Sequence, residues 1–461
     1  MLRKIRIAAA AFFFVLTTLL FLDFTGTLHA WFGWMAKIQF LPALLALNVG
    51  VVAFLVILTL LFGRVYCSVI CPLGVMQDIV SWASGKRRKH RNRFAYSPAL
   101  TWLRRGMLVV FVAAMLAGVG SLLAPYSAYG RIASNLLAPV YAWGNNLLAY
   151  IAGRMDSYAF YSVDVWMKSL STLLVAVVTF AVLFVLAWRS GRTYCNTICP
   201  VGTVLGFLAR YSLFKPRFDT SKCNGCKLCA RNCKASCIDP AAHKIDYSRC
   251  VACMDCLENC RQGAITYTLR RRKPDPAPAP QRPAADAAKT PSDASRRRFL
   301  GLAGIVAYSA LRAQEKKVDG GLAVIVDKKI PNRATPVVPP GAQSLRLFNA
   351  HCTGCQLCVS VCPNQVLRPS GKLMTLMQPE MSFERGYCRP ECTKCAEVCP
   401  TGAIRLTDLA GKSSIQIGHA VWIAENCVVN TDGVSCNNCA RHCPAGAIKM
   451  VRRDPDDPKS P

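Results

Sequence analysis

Acidic residues and histidines are scarce in this chain of 461 residues: 25 Asp and Glu stand against 56 Lys and Arg, and 6 residues are His. No histidine lies at the centre of a long apolar run, which argues against a bis-histidine haem inside a helix bundle. No Cys-x-x-Cys-His string offers covalent haem attachment. No nucleophile–base pair, phosphate-cradling glycine loop or dinucleotide fingerprint stands out. What is abundant is apolar surface and sulfur. Hydrophobic residues make up 52% of the chain and 25 residues are Cys, with a mean hydropathy of +0.27. That is too apolar for a disordered chain, and the chain is too long for a small disulfide-stapled domain. The net charge of +31 suits the cytoplasmic loops of a membrane protein better than a nucleic-acid partner.

Four apolar runs, 7–24, 40–62, 107–124 and 170–188, are each near the ~20 residues that a bilayer requires. No small-x-small cleavage site follows the first, so it reads as a retained span, with Asp23, Trp31 and Trp34 as interfacial anchors. Arg3, Lys4 and Arg6, the basic stretch 86–93, and Arg189, Arg192 and Arg210 all fall on one side. The positive-inside rule makes that side cytoplasmic. The segment 125–166 is then external, its apolar middle 136–151 resting on the membrane surface.

Each pair of runs ends on the same string. Gly63-Arg64-Val65-Tyr66-Cys67-Ser68-Val69-Ile70-Cys71-Pro72-Leu73-Gly74 returns as Gly191-Arg192-Thr193-Tyr194-Cys195-Asn196-Thr197-Ile198-Cys199-Pro200-Val201-Gly202. This is an internal repeat. Cysteines at i and i+4 share a helix face. Pseudo-symmetry would gather Cys67, Cys71, Cys195 and Cys199 at the cytoplasmic edge, as a thiol redox pair, a metal site or a contact surface for a neighbouring cluster. The plainer reading is four buried cysteines acting as small apolar residues.

Two further runs, Cys223-x2-Cys226-x2-Cys229-x3-Cys233 and Cys250-x2-Cys253-x2-Cys256-x3-Cys260, have the spacing of two-cluster bacterial ferredoxins. There the fourth cysteine of each run ligates the other cluster. One [4Fe–4S] cluster then takes Cys223, Cys226, Cys229 and Cys260, and the other Cys250, Cys253, Cys256 and Cys233. Zinc sites use separated cysteine pairs instead. Cys237 aligns with Ala264 of the other run and reads as a buried non-ligand, with ligand exchange against Cys233 as the alternative.

A Pro/Ala-rich linker follows and ends in Ser295-Arg296-Arg297-Arg298-Phe299-Leu300-Gly301. The apolar run 299–311 is short for a span but suits the core of an export signal. The string matches a twin-arginine signal, so the C-terminal part is expected outside the cytoplasm. It holds three runs: Cys352, Cys355, Cys358, Cys362; Cys388, Cys392, Cys395, Cys399; and Cys427, Cys436, Cys439, Cys443. Cross-ligation needs pairs. The second and third runs are expected to exchange, Cys443 joining Cys388, Cys392 and Cys395, and Cys399 joining Cys427, Cys436 and Cys439. That strands Cys362 and leaves the first run waiting for a fourth run, outside this chain or on a partner.

The chain thus divides into a membrane domain (1–215), a two-cluster ferredoxin (216–270), a linker with the twin-arginine motif (271–298), a short apolar segment and linker (299–340), and a polyferredoxin (341–461). The expected fold is an α-helical membrane bundle of four transmembrane helices with two small α+β bacterial-ferredoxin-like domains. With Gln39-Phe40-Leu41-Pro42-Ala43, Tyr129-Gly130-Arg131 and the two Cys-x3-Cys-Pro strings, residues 1–270 resemble the membrane ferredoxins of the NapH/NosR/CcoG group. Residues 295–461 resemble the NapG-type exported ferredoxin, which has four runs where this chain has three.

The resemblance implies a multi-pass protein of the bacterial inner membrane. It passes electrons between the quinone pool or a cytoplasmic donor and a periplasmic redox protein or reductase, as in a quinol dehydrogenase component. It implies two cytoplasmic clusters, two or three exported ones, and a quinone as a further cofactor. His29, Gln39, Tyr126 and Arg131, all expected near the outer face, are the candidate contacts for a quinone headgroup. A relative of the same membrane module is a maturation factor that reduces or handles copper for an oxidase, and that is the alternative. No nucleic-acid partner is expected. Each cluster with its four thiolates carries about −2, so much of the positive charge has a counterpart.

Overall fold

The computed structural model describes residues 1–87, 93–118, 122–157, 159–269, 335–384, 386–405, 407–418, 421–443, 446–451, 454 and 456. The twin-arginine string and the apolar run 299–311 lie outside the described residues. The chain forms two units, 1–415 and 416–461.

Two helices of 21 residues, Leu2–Leu22 and Leu170–Ser190, are long and apolar enough to cross a membrane. At 1.5 Å per residue each is about 30 Å long. The other two expected spans differ. The run 40–62 breaks into helices Phe40–Leu45 and Val49–Phe62. Leu47 turns left-handed at φ 53°, and the Asn48 side chain caps the second helix by accepting from Val51 N. The third run is entered early, as helix Thr101–Leu116, and Gly118 at φ 77° follows its end. The external apolar stretch forms helix Ala138–Arg154. Phe12, Val15, Val109, Val112, Val178 and Val182 stand exposed along these helices, an apolar belt that water does not favour.

Both repeats fold alike. Gly63 (φ 75°) ends Val49–Phe62 and Gly191 (φ 68°) ends Leu170–Ser190, a left-handed exit that glycine adopts without strain. A short helical turn follows, Val65–Val69 in one repeat and Thr193–Thr197 in the other. Pro72 and Pro200 then open helices Pro72–Gly85 and Pro200–Ala209 at their first position.

The ferredoxin segment contains strands β1 (Phe214–Phe218), β2 (Ile238–Asp239), β3 (Lys244–Ile245) and β4 (Ile265–Leu269). Antiparallel β1 and β4 set Phe214 opposite Leu269 and Phe218 opposite Ile265, and β2 pairs with β3. The C-terminal segment repeats the plan with β5 (Leu367–Pro369) antiparallel to β6 (Pro379–Met381).

The two segments meet the helices at opposite ends. The ferredoxin segment meets the start of Leu2–Leu22 through Arg3 with Asp255 and Glu258. It meets the start of Thr101–Leu116 through Arg104 and Ser248, and the end of Leu170–Ser190 through Arg192 N and Lys234 O. Residues 335–405 meet the far ends. Lys394 donates to Thr25 O, Gln378 to Gly118 O, and Lys168 to Val359 O.

One ionic knot ties the ferredoxin segment to the bundle. Asp78 sits between Arg6, Arg192 and Lys234 at 2.9, 2.7 and 3.2 Å. Burial alone would raise its carboxyl, but the three cations hold it well below the usual carboxylate range. Asparagine at Asp78 leaves Arg6 and Arg192 buried without a counter-charge, while Lys234 keeps Asp255 at 3.0 Å. A loss of about 3 kcal/mol is expected, read as a lower unfolding midpoint of the detergent-solubilised protein.

Candidate iron–sulfur sites

The cysteine runs share a backbone device. In three of them, the residues just before and just after the second cysteine are left-handed: Gly225 and Lys227, Ala252 and Met254, Gly354 and Gln356, with φ between 49° and 71°. Each pair bends the chain around a point before a short helix begins at Leu228, Asp255 or Leu357. Successive N–H groups then face one concavity, which suits an anionic core. The third residue after the last cysteine is left-handed in all five runs: Ser236, Gly263, Gln365, Gly402 and Gly446.

Cys223, Cys226, Cys229 and Cys260 line one cavity of about 300 Å³ with Phe218, Leu228, Pro240 and Ile265. These are the four ligands expected from spacing, drawn from both runs, with Asn224, Lys227, Asn259 and Arg261 on the polar side of the same cavity. Cys233, Cys250, Cys253 and Cys256 line a second, narrower cavity. Cys237 lines it too, its Sγ 3.6 Å from that of Cys233. Hydrogen bonding with Cys237 pulls the Cys233 thiol down to about 7, and the same contact pushes Cys237 up. Cys233 holds the fourth position of its run and Cys237 lies four residues on, and both line the same cavity. Both donor sets fit a [4Fe–4S] cluster, which supplies one-electron transfer without bond making.

The C-terminal runs pair differently from expectation. Cys399 interacts electrostatically with Cys352, Cys355 and Cys358. Cys362 does so with Cys388 and Cys395. The fourth cysteine of each of these two runs thus lies beside the triplet of the other, whereas run order pointed to an exchange of Cys443 and Cys399 between the second and third runs and a stranded Cys362. The physical reason is the fold-back through β5 and β6, which sets helix Leu357–Ser360 against helix Lys394–Glu397. The odd run is the third, Cys427, Cys436, Cys439 and Cys443, in the separate unit 416–461.

The four repeat cysteines do converge. Cys71 interacts with Cys67 and Cys195, and Cys199 with all three others. All four are buried. Two arginines cross between the repeats: Arg64 donates to Cys195 O at 3.1 Å and Arg192 to Cys67 O at 2.7 Å. Both are 0% exposed. The sequence reading took Arg192 as a topology charge and gave Arg64 no role, although the Gly-Arg pair recurs in both strings. That recurrence, its arginine three residues before the first cysteine, was the available signal. Among the described residues, no three Cys, His, Asp or Glu converge on a single-ion site.

The candidate quinone contacts fall in three settings. His29 pairs with Asp23 at 3.2 Å. Gln39, expected near the outer face, is instead fully buried against Met35 O, Ile70 O and the Tyr66 hydroxyl, beside the first Cys-x3-Cys-Pro string. Tyr126 packs on Phe21. Tyr126 and Arg131 lie beneath Cys355 of the C-terminal segment. Gly130 between them is so close that a methyl group there would stand 2.4 Å from Cys355 O.

Comparison with known proteins finds 4Fe-4S domains in this chain. Residues 44–90 and 172–221 match a 4Fe-4S binding domain family, and residues 351–403 match a 4Fe-4S dicluster domain. The dicluster match spans the first two C-terminal runs. The chain is 28% identical to the methylamine utilization ferredoxin-type protein MauN of Paracoccus denitrificans over 37% of this chain and 48% of that one. It is 29% identical to the ferredoxin-type protein NapH of Escherichia coli over 42% of this chain and 55% of that one. It is 33% identical to the methylamine utilization ferredoxin-type protein MauM of Methylophilus methylotrophus over 24% of this chain and 50% of that one. The chain thus spans about half the length of each of these relatives. No solved structure matches. The chain carries 4Fe-4S domains of the ferredoxin type.

Proposed function

We propose that this protein is a multi-pass membrane electron carrier, a NapH-like membrane ferredoxin joined to a NapG-like exported one. It passes electrons between the quinone pool or a cytoplasmic donor and a periplasmic redox partner. The observation that carries the reading is the docking of two cysteine-run segments at opposite ends of helices about 30 Å long, the thickness of a bilayer core. The basic residues gather at one end, where Arg3 and Arg192 meet the ferredoxin segment. The exposed apolar belt supplies the lipid-facing surface. The ferredoxin-type relatives support a redox role.

The twin-arginine string would carry residues 335–461 across the membrane. A topology reporter fused at the C-terminal end is expected to act as an external one, and cytoplasmic activity would sink the reading. Purified membranes given a reduced quinol analogue are expected to bleach the cluster absorbance near 400 nm (about the thiolate-to-iron charge-transfer region). Copper binding without quinol-driven bleaching would favour the maturation role instead.

A further inference from the structure

From the four buried thiols and two crossing arginines we infer that Cys67, Cys71, Cys195 and Cys199 hold an additional iron–sulfur centre on the repeat axis, relaying electrons between the two ferredoxin segments. It rests on those segments binding clusters, not on the direction of electron flow.

The charge argument comes first. Arg64 is fully buried, and its contacts are Asn196 Oδ1, Ser248 O, Cys195 O and Cys67 Sγ, none of them a carboxylate. Arg192 reaches Asp78 and stands 4.0 Å from Cys195 Sγ. Arg192 Nη2 and Arg64 Nε are buried with no acceptor. Arg64 is buried beside the thiols with no carboxylate, and Arg192 shares its one carboxylate, Asp78, with Arg6 and Lys234, an excess of buried positive charge that is costly. A cluster core of charge 2+ with four thiolates carries about −2 and offsets that excess.

The repeat has also been shaped to admit these arginines. A methyl on Gly74 would stand 2.8 Å from Arg192 Nη1 and one on Gly202 2.8 Å from Arg64 Nη2. Gln77 Nε2 donates to Cys195 Sγ at 3.3 Å, and Gly202 N to Cys199 Sγ at 3.3 Å, hydrogen bonds of the kind that tune cluster sulfurs. The two segments that match a 4Fe-4S binding domain family, 44–90 and 172–221, contain only these four cysteines.

The position is that of a relay. Arg64 also acts on Cys250 of the ferredoxin segment. On the other side Tyr194, next to Cys195, interacts with Arg131, and Arg131 with Cys355 of the C-terminal segment. One electron enters as the core goes from its oxidised to its reduced form, leaving one ferredoxin cluster oxidised. The same electron then reduces the cluster beyond, with no bond or proton transferred.

The test uses the full chain, purified without oxygen. Cys67→Ser with Cys195→Ser is expected to lose the iron and sulfide of one centre while the ferredoxin EPR signals persist. Unchanged iron and sulfide, or zinc or copper bound stoichiometrically at these cysteines in the unaltered protein, would overturn the inference. If the double variant does not accumulate, Arg192→Gln serves. It is expected to keep all iron and to move one EPR-monitored midpoint to lower potential, with Arg192→Lys restoring it. No shift in any centre would overturn the inference. Intact centres that no quinol reduces would defeat the proposed function and leave this one standing.

Discussion

Alanine at Cys399 is expected to abolish the cluster served by Cys352, Cys355 and Cys358, at a cost of about four iron and four sulfide per chain. Alanine at Cys443 is expected to leave that cluster in place. The contrast follows from Cys399 lying against the first C-terminal run, although its own triplet is Cys388, Cys392 and Cys395. The reciprocal variant, Cys362→Ala, should remove the cluster of the second run. Iron and sulfide analysis with EPR of each reduced variant checks all three. Loss of the first-run cluster in Cys443→Ala would restore the pairing expected from run order.

The second large effect concerns docking. Valine at Gly130 must displace Cys355 O, which a first methyl would already approach to 2.4 Å, and the Phe21 ring at 2.9 Å. Overpacking of this kind costs about 2 kcal/mol, which weakens the docked state about 30-fold. The C-terminal segment should release from the bundle with its clusters loaded. Limited proteolysis should then cut faster between 335 and 405, and electrons should no longer pass from the ferredoxin segment to Cys355. Unchanged cleavage and unchanged passage would show that this contact does not hold the segment.

What was legible beforehand depended on how local the determinant is. Cys223 to Cys260 could be assigned in sequence because each ligand set is built from two adjacent runs, and the structure lines one cavity with the expected four. Run order pointed to an exchange between the second and third C-terminal runs because runs alone do not say which neighbour folds back. That choice belongs to β5, β6 and the helix contact between Leu357–Ser360 and Lys394–Glu397. Helix ends were misplaced where hydropathy continues through a backbone break, as at Leu47 and Asn48. Tyr126 and Arg131 looked like interfacial residues open to a small ligand. Nothing in their own string announces that residues more than 200 positions later will cover them. Arg192 counted as a topology charge and Arg64 only as part of the repeat string, and their burial became visible only once the two repeats were set face to face.

The lid formed by Lys234 and Ser248 has a bearing on biogenesis. Arg192 N donates to Lys234 O at 2.8 Å, Arg64 to Ser248 O at 3.2 Å, and Asn196 to Ala235 O at 3.1 Å. These contacts lay residues 234–248 across the two repeat strings. For the inferred centre this sets an order: iron is expected to enter the four thiols before residues 214–269 close over them, and a ferredoxin segment that folded first would shut the metal out.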